Sequence, residues 1–320
     1  MMHPVAAVSL TEVHAAQARL AGLVERTPVV RCQAAAATEV FLKLDNLQPI
    51  GSFKIRPVGN AVLARPAASL AAGLYTCSSG NSAVAVAWLA QRLEVPATAV
   101  VTEAAPAAKI GRLRALGARI RQVPFATWWQ AVEVCALAGE SGTYIDAVRD
   151  PAALAGDGTL GVEILEQLPE VEAIFTPFGG GALACGVACA VRALNPKVKV
   201  IACELQSAQP FAAALRAGRV VHTESRPGFV SGVGFHTLLP EMWPLCREVI
   251  DGALTVTLAE VAAAIRLMAE GNKVIAEGAG AVPVAAALSG RHPYRRVCAV
   301  VSGGNLGNEA LTTILAGGIP

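Results

Sequence analysis

The chain has 320 residues, of which 54% are hydrophobic and only 16% charged, and its formal net charge is +2. That length is too great for one small core and suits one large α/β unit or two lobes. The near-balanced charge, with no basic stripe interleaved with aromatics, excludes an electrostatic case for a nucleic acid or an anionic membrane as partner.

In chain order, a helix is expected over residues 11–23, then short strands at 28–31 and 40–44, and a helix starting near Ser52. Residues 74–77 read as a strand and 81–93 as a helix. The alternation continues with strand 95–101, helix 107–116, strand 118–122, helix 127–139 and strand 143–145. The second half repeats it: helix 160–168, strand 173–176, helix 182–194 and strand 198–203, with helices at 208–217 and 258–270 and a β-branched run at 296–301. Strands alternating with helices argue for an α/β fold with parallel sheets covered by helices. Residues 221–240, rich in glycine, serine and proline, read as a long loop, and long ordered loops are often functional.

The first ten residues lack a cationic stretch followed by a long apolar run, so no leader is expected, and no run of about twenty apolar residues suggests a membrane span. Eight cysteines are present without a C-x-x-C pair. Cys185 and Cys189 share a helix face, yet nothing nearby completes a metal set. They read as buried small hydrophobes in a reducing cytoplasm.

In open α/β sheets, ligands bind beyond the carboxyl ends of strands. Three turns fall there: Ser78-Ser79-Gly80-Asn81, Phe178-Gly179-Gly180-Gly181 and Ser302-Gly303-Gly304-Asn305. The triple glycine precedes an apolar helix, whose first N–H groups and dipole suit an anion such as phosphate. It matches neither a Walker A loop nor G-x-G-x-x-G, and by itself is as well read as a tight turn. Lys54, between Phe53 and Ile55, reads either as a solvated helix lysine or as a desolvated amine fit for Schiff-base chemistry.

The order of these motifs decides between those readings. Leu42-Lys43-Leu44-Asp45-Asn46-Leu47-Gln48-Pro49-Ile50-Gly51-Ser52-Phe53-Lys54-Ile55-Arg56 resembles the cofactor-lysine segment of the serine/threonine dehydratases, which include threonine ammonia-lyases and serine racemases. These are pyridoxal-phosphate enzymes of the tryptophan-synthase-β-like fold (fold type II). The Ser78 turn, Phe178 to Leu183, Glu277-Gly278-Ala279-Gly280-Ala281 and the Ser302 turn resemble that family's remaining motifs, in its order and at its spacing.

The resemblance implies two open parallel-sheet lobes with pyridoxal 5'-phosphate between them. A large domain would comprise residues 1–73 and 147–320, and a small one residues 74–146 inserted in it. It implies that Lys54 holds the cofactor as a Schiff base and moves the substrate's Cα proton. Phe53 would pack on the cofactor ring, Asn81 bind its phenolic oxygen, and Ser302 face the pyridine nitrogen. Gly179, Gly180, Gly181 and Ala182 would offer N–H groups to the phosphate. Ser78, Ser79, Gly80, Asn81 and Ser82 would receive the substrate carboxylate. Ser79 would be a second catalytic residue if it acts as the matching serine of related racemases does, as acid or base; in dehydratases that serine can serve carboxylate binding alone. Glu277 lies near the cofactor or simply stands as a charged N-cap of the helix after it.

The implied reaction is β-elimination from a small hydroxy-amino acid such as L-threonine or L-serine, giving a 2-oxo acid and ammonia. Alternatives are a racemase or a dehydratase of another β-hydroxy-amino acid on the same fold, and a non-catalytic binding protein on this scaffold. A hydroxyl at Ser302 deepens the electron sink less than a carboxylate would, which favours direct loss of a β-substituent. The partner is then a small-molecule amino acid, with no nucleic acid or membrane, in a cytoplasmic homodimer without a C-terminal regulatory domain.

Several positions depart from the family pattern. Ser82 replaces a histidine, Ala182 the fourth glycine, Asp146-Ala147-Val148-Arg149 a histidine-proline-phenylalanine run, and Ser231-Gly232 an aspartate-glycine pair. These put substrate identity in doubt more than cofactor binding. Glu204 has Pro210 where a second acid would complete a divalent-cation site, so no metal is expected and Glu204 reads as capping a strand end. Trp128 and Trp129 read as core or interface anchors rather than site residues, and His236 receives no role.

Overall fold

The computed structural model describes residues 3–34, 38–226 and 228–320. Met1 and Met2, at the start of the region scanned for a leader, and Pro227, within the 221–240 loop, lie outside the described residues.

Two sheets carry the fold. Strands β1 (Val29–Arg31), β2 (Glu39–Lys43), β3 (Leu74–Cys77), β4 (Ala97–Thr102), β5 (Arg119–Val123), β6 (Thr143–Tyr144), β7 (Ala173–Pro177), β8 (Lys199–Leu205), β9 (Gly252–Val256) and β10 (Arg296–Val300) follow in chain order. The larger sheet has the order β1-β2-β10-β7-β8-β9 and the smaller β5-β4-β3-β6. All pairings are parallel except β1 with β2, where Val29 faces Lys43 antiparallel at the sheet's edge. Parallel strands need helical crossovers on both faces, and the alanine- and valine-rich helices supply them, burying β7 and β10 almost completely.

Several expected boundaries move, each for a visible reason. The helix expected near Ser52 starts at Ile55, because Ser52 bridges to Gly303 and the Phe53 N–H donates to the Ser302 carbonyl at 2.8 Å. The helix expected at 160–168 runs from Pro151 to Gln167. Asp150 caps it through the Ala152 N–H at 2.8 Å and Pro151 fits its first turn. Glycines 156, 158 and 161, which read as breakers, serve close packing instead. A Cβ on the facing Gly186 would come within 2.7 Å of the Asp157 Cβ. The helix expected at 127–139 spans Phe125–Val134, ending where Cys135 takes a left-handed φ of 54° and Arg149 donates to the carbonyls of Glu133 and Val132. Strand β9 and the helix Trp243–Val249 were not expected. Among the described residues of 221–240 no helix or strand forms, and no described helix is long and apolar enough to cross a membrane.

Candidate active site

A cavity of about 390 Å³ opens where the carboxyl ends of β3, β6, β7 and β10 converge. Its wall includes Phe53, Lys54, the whole Ser78 to Ser82 turn, Gly179 to Ala182, Glu277 and Ser302. Every residue assigned a site role from the sequence therefore meets at one place. So do the positions that depart from the family pattern: Ser82, Asp146 to Arg149, Ala182, Ser231 and Gly232 all line the same cavity.

Lys54 sits just before the helix Ile55–Leu63, on a segment tied to the end of β10. Gly51 makes this path possible. Its φ of 73° suits glycine, and the Gly304 N–H donates to its carbonyl at 2.9 Å. The Lys54 amine lies 4.7 Å from the centre of the Phe53 ring, a cation–π contact. Burial pushes its proton affinity down, while the carboxylates of Asp157 and Asp146 act in the opposite direction.

Asp157 was not singled out from the sequence, since an aspartate between two glycines looks like a turn. It is fully buried, and neither oxygen has a hydrogen-bond partner. Burial raises its pKa to about 7, with Lys54 and Arg56 opposing. The sign for stability follows. The folded pKa lies above the ordinary 3.8, so Asp157 costs nothing while protonated in both states below that value. Its cost then grows as pH rises to about 7 and stays constant beyond. Asp157→Asn is expected to flatten the fall in stability of the cofactor-free protein between pH 5 and 8 by roughly 2–4 kcal/mol. Denaturant unfolding measured across that range checks this. Glu204 and Glu277, also raised to about 7, leave a residual slope.

Three turns lock together through Asn81. Its side-chain amide donates to Glu277 Oε1 at 2.6 Å, and Asn305 Nδ2 donates to its oxygen at 2.7 Å. Glu277 stands at the N-cap position of the helix Gly278–Leu288, but its carboxylate makes no capping bond and goes to Asn81 instead. Ser78 Oγ accepts from the Gly80 N–H at 3.1 Å, shaping the turn that starts the helix Asn81–Arg92.

The triple glycine is a cradle that side chains would fill. A Cβ at Gly180 would come within 2.9 Å of Val148, and one at Gly181, whose φ is 91°, within 2.8 Å of Cys246 Sγ. The helix Ala182–Leu194 starts directly after it, with its first N–H groups lacking intrahelical partners.

Both tryptophans line the cavity, which adds a place in its wall to their reading as core or interface anchors. The helix Phe125–Val134 places Trp128, Trp129 and Val132 in the cavity lining. Trp128 does also pack on the core of Tyr75, Cys77 and Val100. His236 stays off the wall and packs on Trp129, ring centres 5.2 Å apart. Glu204 corrects in detail: its two oxygens accept from the Phe211 and Ala212 N–H groups at 2.9 and 2.8 Å, so it caps a helix start rather than a strand end. The only half-buried cysteine is Cys135; the other seven are buried, and all eight are free.

A sequence family described as pyridoxal-phosphate dependent enzyme matches residues 20–303. The chain belongs to this family. It is 34% identical over 319 residues to an L-threonine ammonia-lyase of Thermotoga maritima, covering 98% of this chain and 79% of that protein. It is 33% identical to an L-threo-3-hydroxyaspartate ammonia-lyase of a Pseudomonas species, covering 97% and 99%. The solved structure of maize serine racemase superposes with a TM-score of 0.89 at 30% identity, covering 98% of each chain.

The residues present fit the family's cofactor. The cradle, closed to any side chain yet ringed by free N–H groups, suits a phosphate, and a half-buried lysine amine on the same wall suits an aldehyde.

Proposed function

We propose that this enzyme eliminates the β-hydroxyl of a small hydroxy-amino acid such as L-threonine or L-serine, releasing a 2-oxo acid and ammonia. One observation carries the reading: the Lys54 amine shares a single cavity with an anion cradle and with a second anion-binding helix start at Ser78 to Ser82. The similarity to an L-threonine ammonia-lyase and an L-threo-3-hydroxyaspartate ammonia-lyase supports it.

Pyridoxal phosphate, when bound, supplies an electron sink that acidifies the substrate's Cα–H. Lys54 holds the cofactor, and its amine, once free, takes the Cα proton. Burial of that amine disfavours its charged form, which favours its work as a base. The N–H groups of Gly179, Gly180, Gly181 and Ala182 hold the phosphate, and Phe53 packs on the ring. Asn81 binds the phenolic oxygen, fixed in orientation by Glu277 and Asn305. Ser302, held next to Phe53, faces the ring nitrogen with a neutral hydroxyl. Ser78, Ser79, Gly80, Asn81 and Ser82 would receive the substrate carboxylate, with Ser79 the candidate second acid or base, supported by its place in the same cavity as Lys54.

We further place residues 74–146 as a small domain inserted in a large one of 1–73 and 147–320. The assembly is a cytoplasmic homodimer, and eight free thiols suit that reducing compartment. The test is a panel of β-hydroxy-amino acids given to the purified, cofactor-loaded protein. Equal amounts of 2-oxo acid and ammonia are expected. Formation of D-isomer without 2-oxo acid would instead make the enzyme a racemase.

A further inference from the structure

We propose that the preferred substrate carries an aromatic ring on its β-carbon, a 3-aryl-serine, recognised by Trp128, Trp129 and Phe235. The inference rests on the elimination reading above and narrows it. With the substrate carboxylate at the Ser78 to Ser82 turn and its amine end at Lys54, the side chain faces the remaining wall. That wall is made by Trp128, Trp129 and Val132 of one helix and Leu239 of the long loop, continued by Val148 and Phe235, which also border the glycine cradle.

The indole N–H groups and the guanidinium on this wall are already engaged. The Trp128 indole N–H donates to the Val100 carbonyl at 3.2 Å, and that of Trp129 to Glu133 Oε1 at 2.8 Å, so neither N–H is free for a polar ligand and what the indoles add to the cavity wall is apolar ring. Arg149 Nε donates to Asp146 Oδ2 at 2.6 Å, and its other nitrogens are spent on Glu133 O, Val132 O and Cys135 Sγ. Arg149 is therefore not free to meet a second carboxylate. Lys109 and Arg112 also line the cavity; their charge acts on Glu277, and Arg112 donates to the Ile50 carbonyl at 3.0 Å. An acidic side chain would therefore meet apolar carbon. A methyl group would leave two indoles and a phenyl facing water, whereas an aryl ring covers them.

The reaction balances. The Cα–H and Cβ–O bonds break and hydroxide leaves with a proton as water. The released enamine becomes an imine, whose hydrolysis takes up one water, so an aryl-serine yields an arylpyruvate and ammonia.

On the cofactor-loaded protein, kcat/KM for L-threo-3-phenylserine is expected to exceed that for L-threonine at least tenfold, in line with the roughly 10–200-fold that small apolar differences earn in a hydrophobic pocket. A ratio of one or less overturns the proposal. Trp129→Ala should lower this ratio about tenfold and Trp129→Phe keep most of it; equal loss for both substrates in Trp129→Ala overturns it. L-phenylalanine, which has no β-leaving group, should quench tryptophan fluorescence at about tenfold lower concentration than L-alanine. This binding arm separates the two ideas. Tight L-phenylalanine binding with no 2-oxo acid from any substrate sinks the elimination reading and keeps the aromatic pocket; equal binding of the two sinks the pocket.

Discussion

Lys54→Ala is expected to lower kcat by roughly 10³–10⁴-fold, the range typical for losing a positioned proton carrier, with a further loss from removing the cofactor's covalent anchor. The folded structure should survive. Lys54 precedes its helix rather than sitting inside it, and its neighbour Phe53 keeps the backbone bond to Ser302. Removing the amine also removes a cation beside the buried, unpartnered Asp157, so the carboxyl there becomes harder to ionise. Turnover, circular dichroism and borohydride fixation of the cofactor check the three parts separately. A variant that keeps kcat within tenfold of the parent, or whose cofactor is still fixed by borohydride, would refute the role of Lys54.

Arg56→Met is expected to destabilise the protein by roughly 3–5 kcal/mol, the usual cost of removing one partner from a buried ionic network. Arg56 is the largest fully buried side chain. Its Nε donates to Asp45 Oδ2 at 2.7 Å, and its Nη1 to Glu163 Oε1 at 2.7 Å and to Thr159 Oγ1 at 3.0 Å. Lys43 Nζ donates to Glu163 Oε2 at 2.6 Å. Without the guanidinium, two buried carboxylates share one ammonium and an uncompensated charge remains in a dry site. The double variant Asp45→Leu, Arg56→Met should recover part of the loss, because the remaining Lys43–Glu163 pair is then balanced. Urea unfolding checks both. A single-variant loss below about 1 kcal/mol would mean that water reaches the network. The consequence for the site is direct, since Arg56 lies in the first turn of the helix that follows Lys54 and pins it to the helix Pro151–Gln167.

The site was largely legible in the sequence because its chemistry is local. Glycine turns at strand ends and a lysine in a distinctive segment are short patterns, and their order along the chain carried the family resemblance. Asp157 was not legible: its significance depends on burial beneath Lys54, and the glycines on either side suggested a turn where the structure has a helix packed against another at close range. That Trp128 and Trp129 line the cavity was missed for a similar reason. A helical pair of indoles looks alike whether a strand covers it or a cavity opens before it.

The sequence by itself determined the strand–helix alternation, the glycine cradle and the amine that goes with it, since each follows from residue spacing and backbone freedom. Only the tertiary structure decided that Asn81, Glu277 and Asn305 clamp one another across three separated segments, that Asp157 lies buried and unpaired, and that the wall facing the substrate is aromatic. Those features come from contacts between residues far apart in the chain. Burial, charge pairing and shape arise when segments meet in space, and no local pattern encodes which segments will meet.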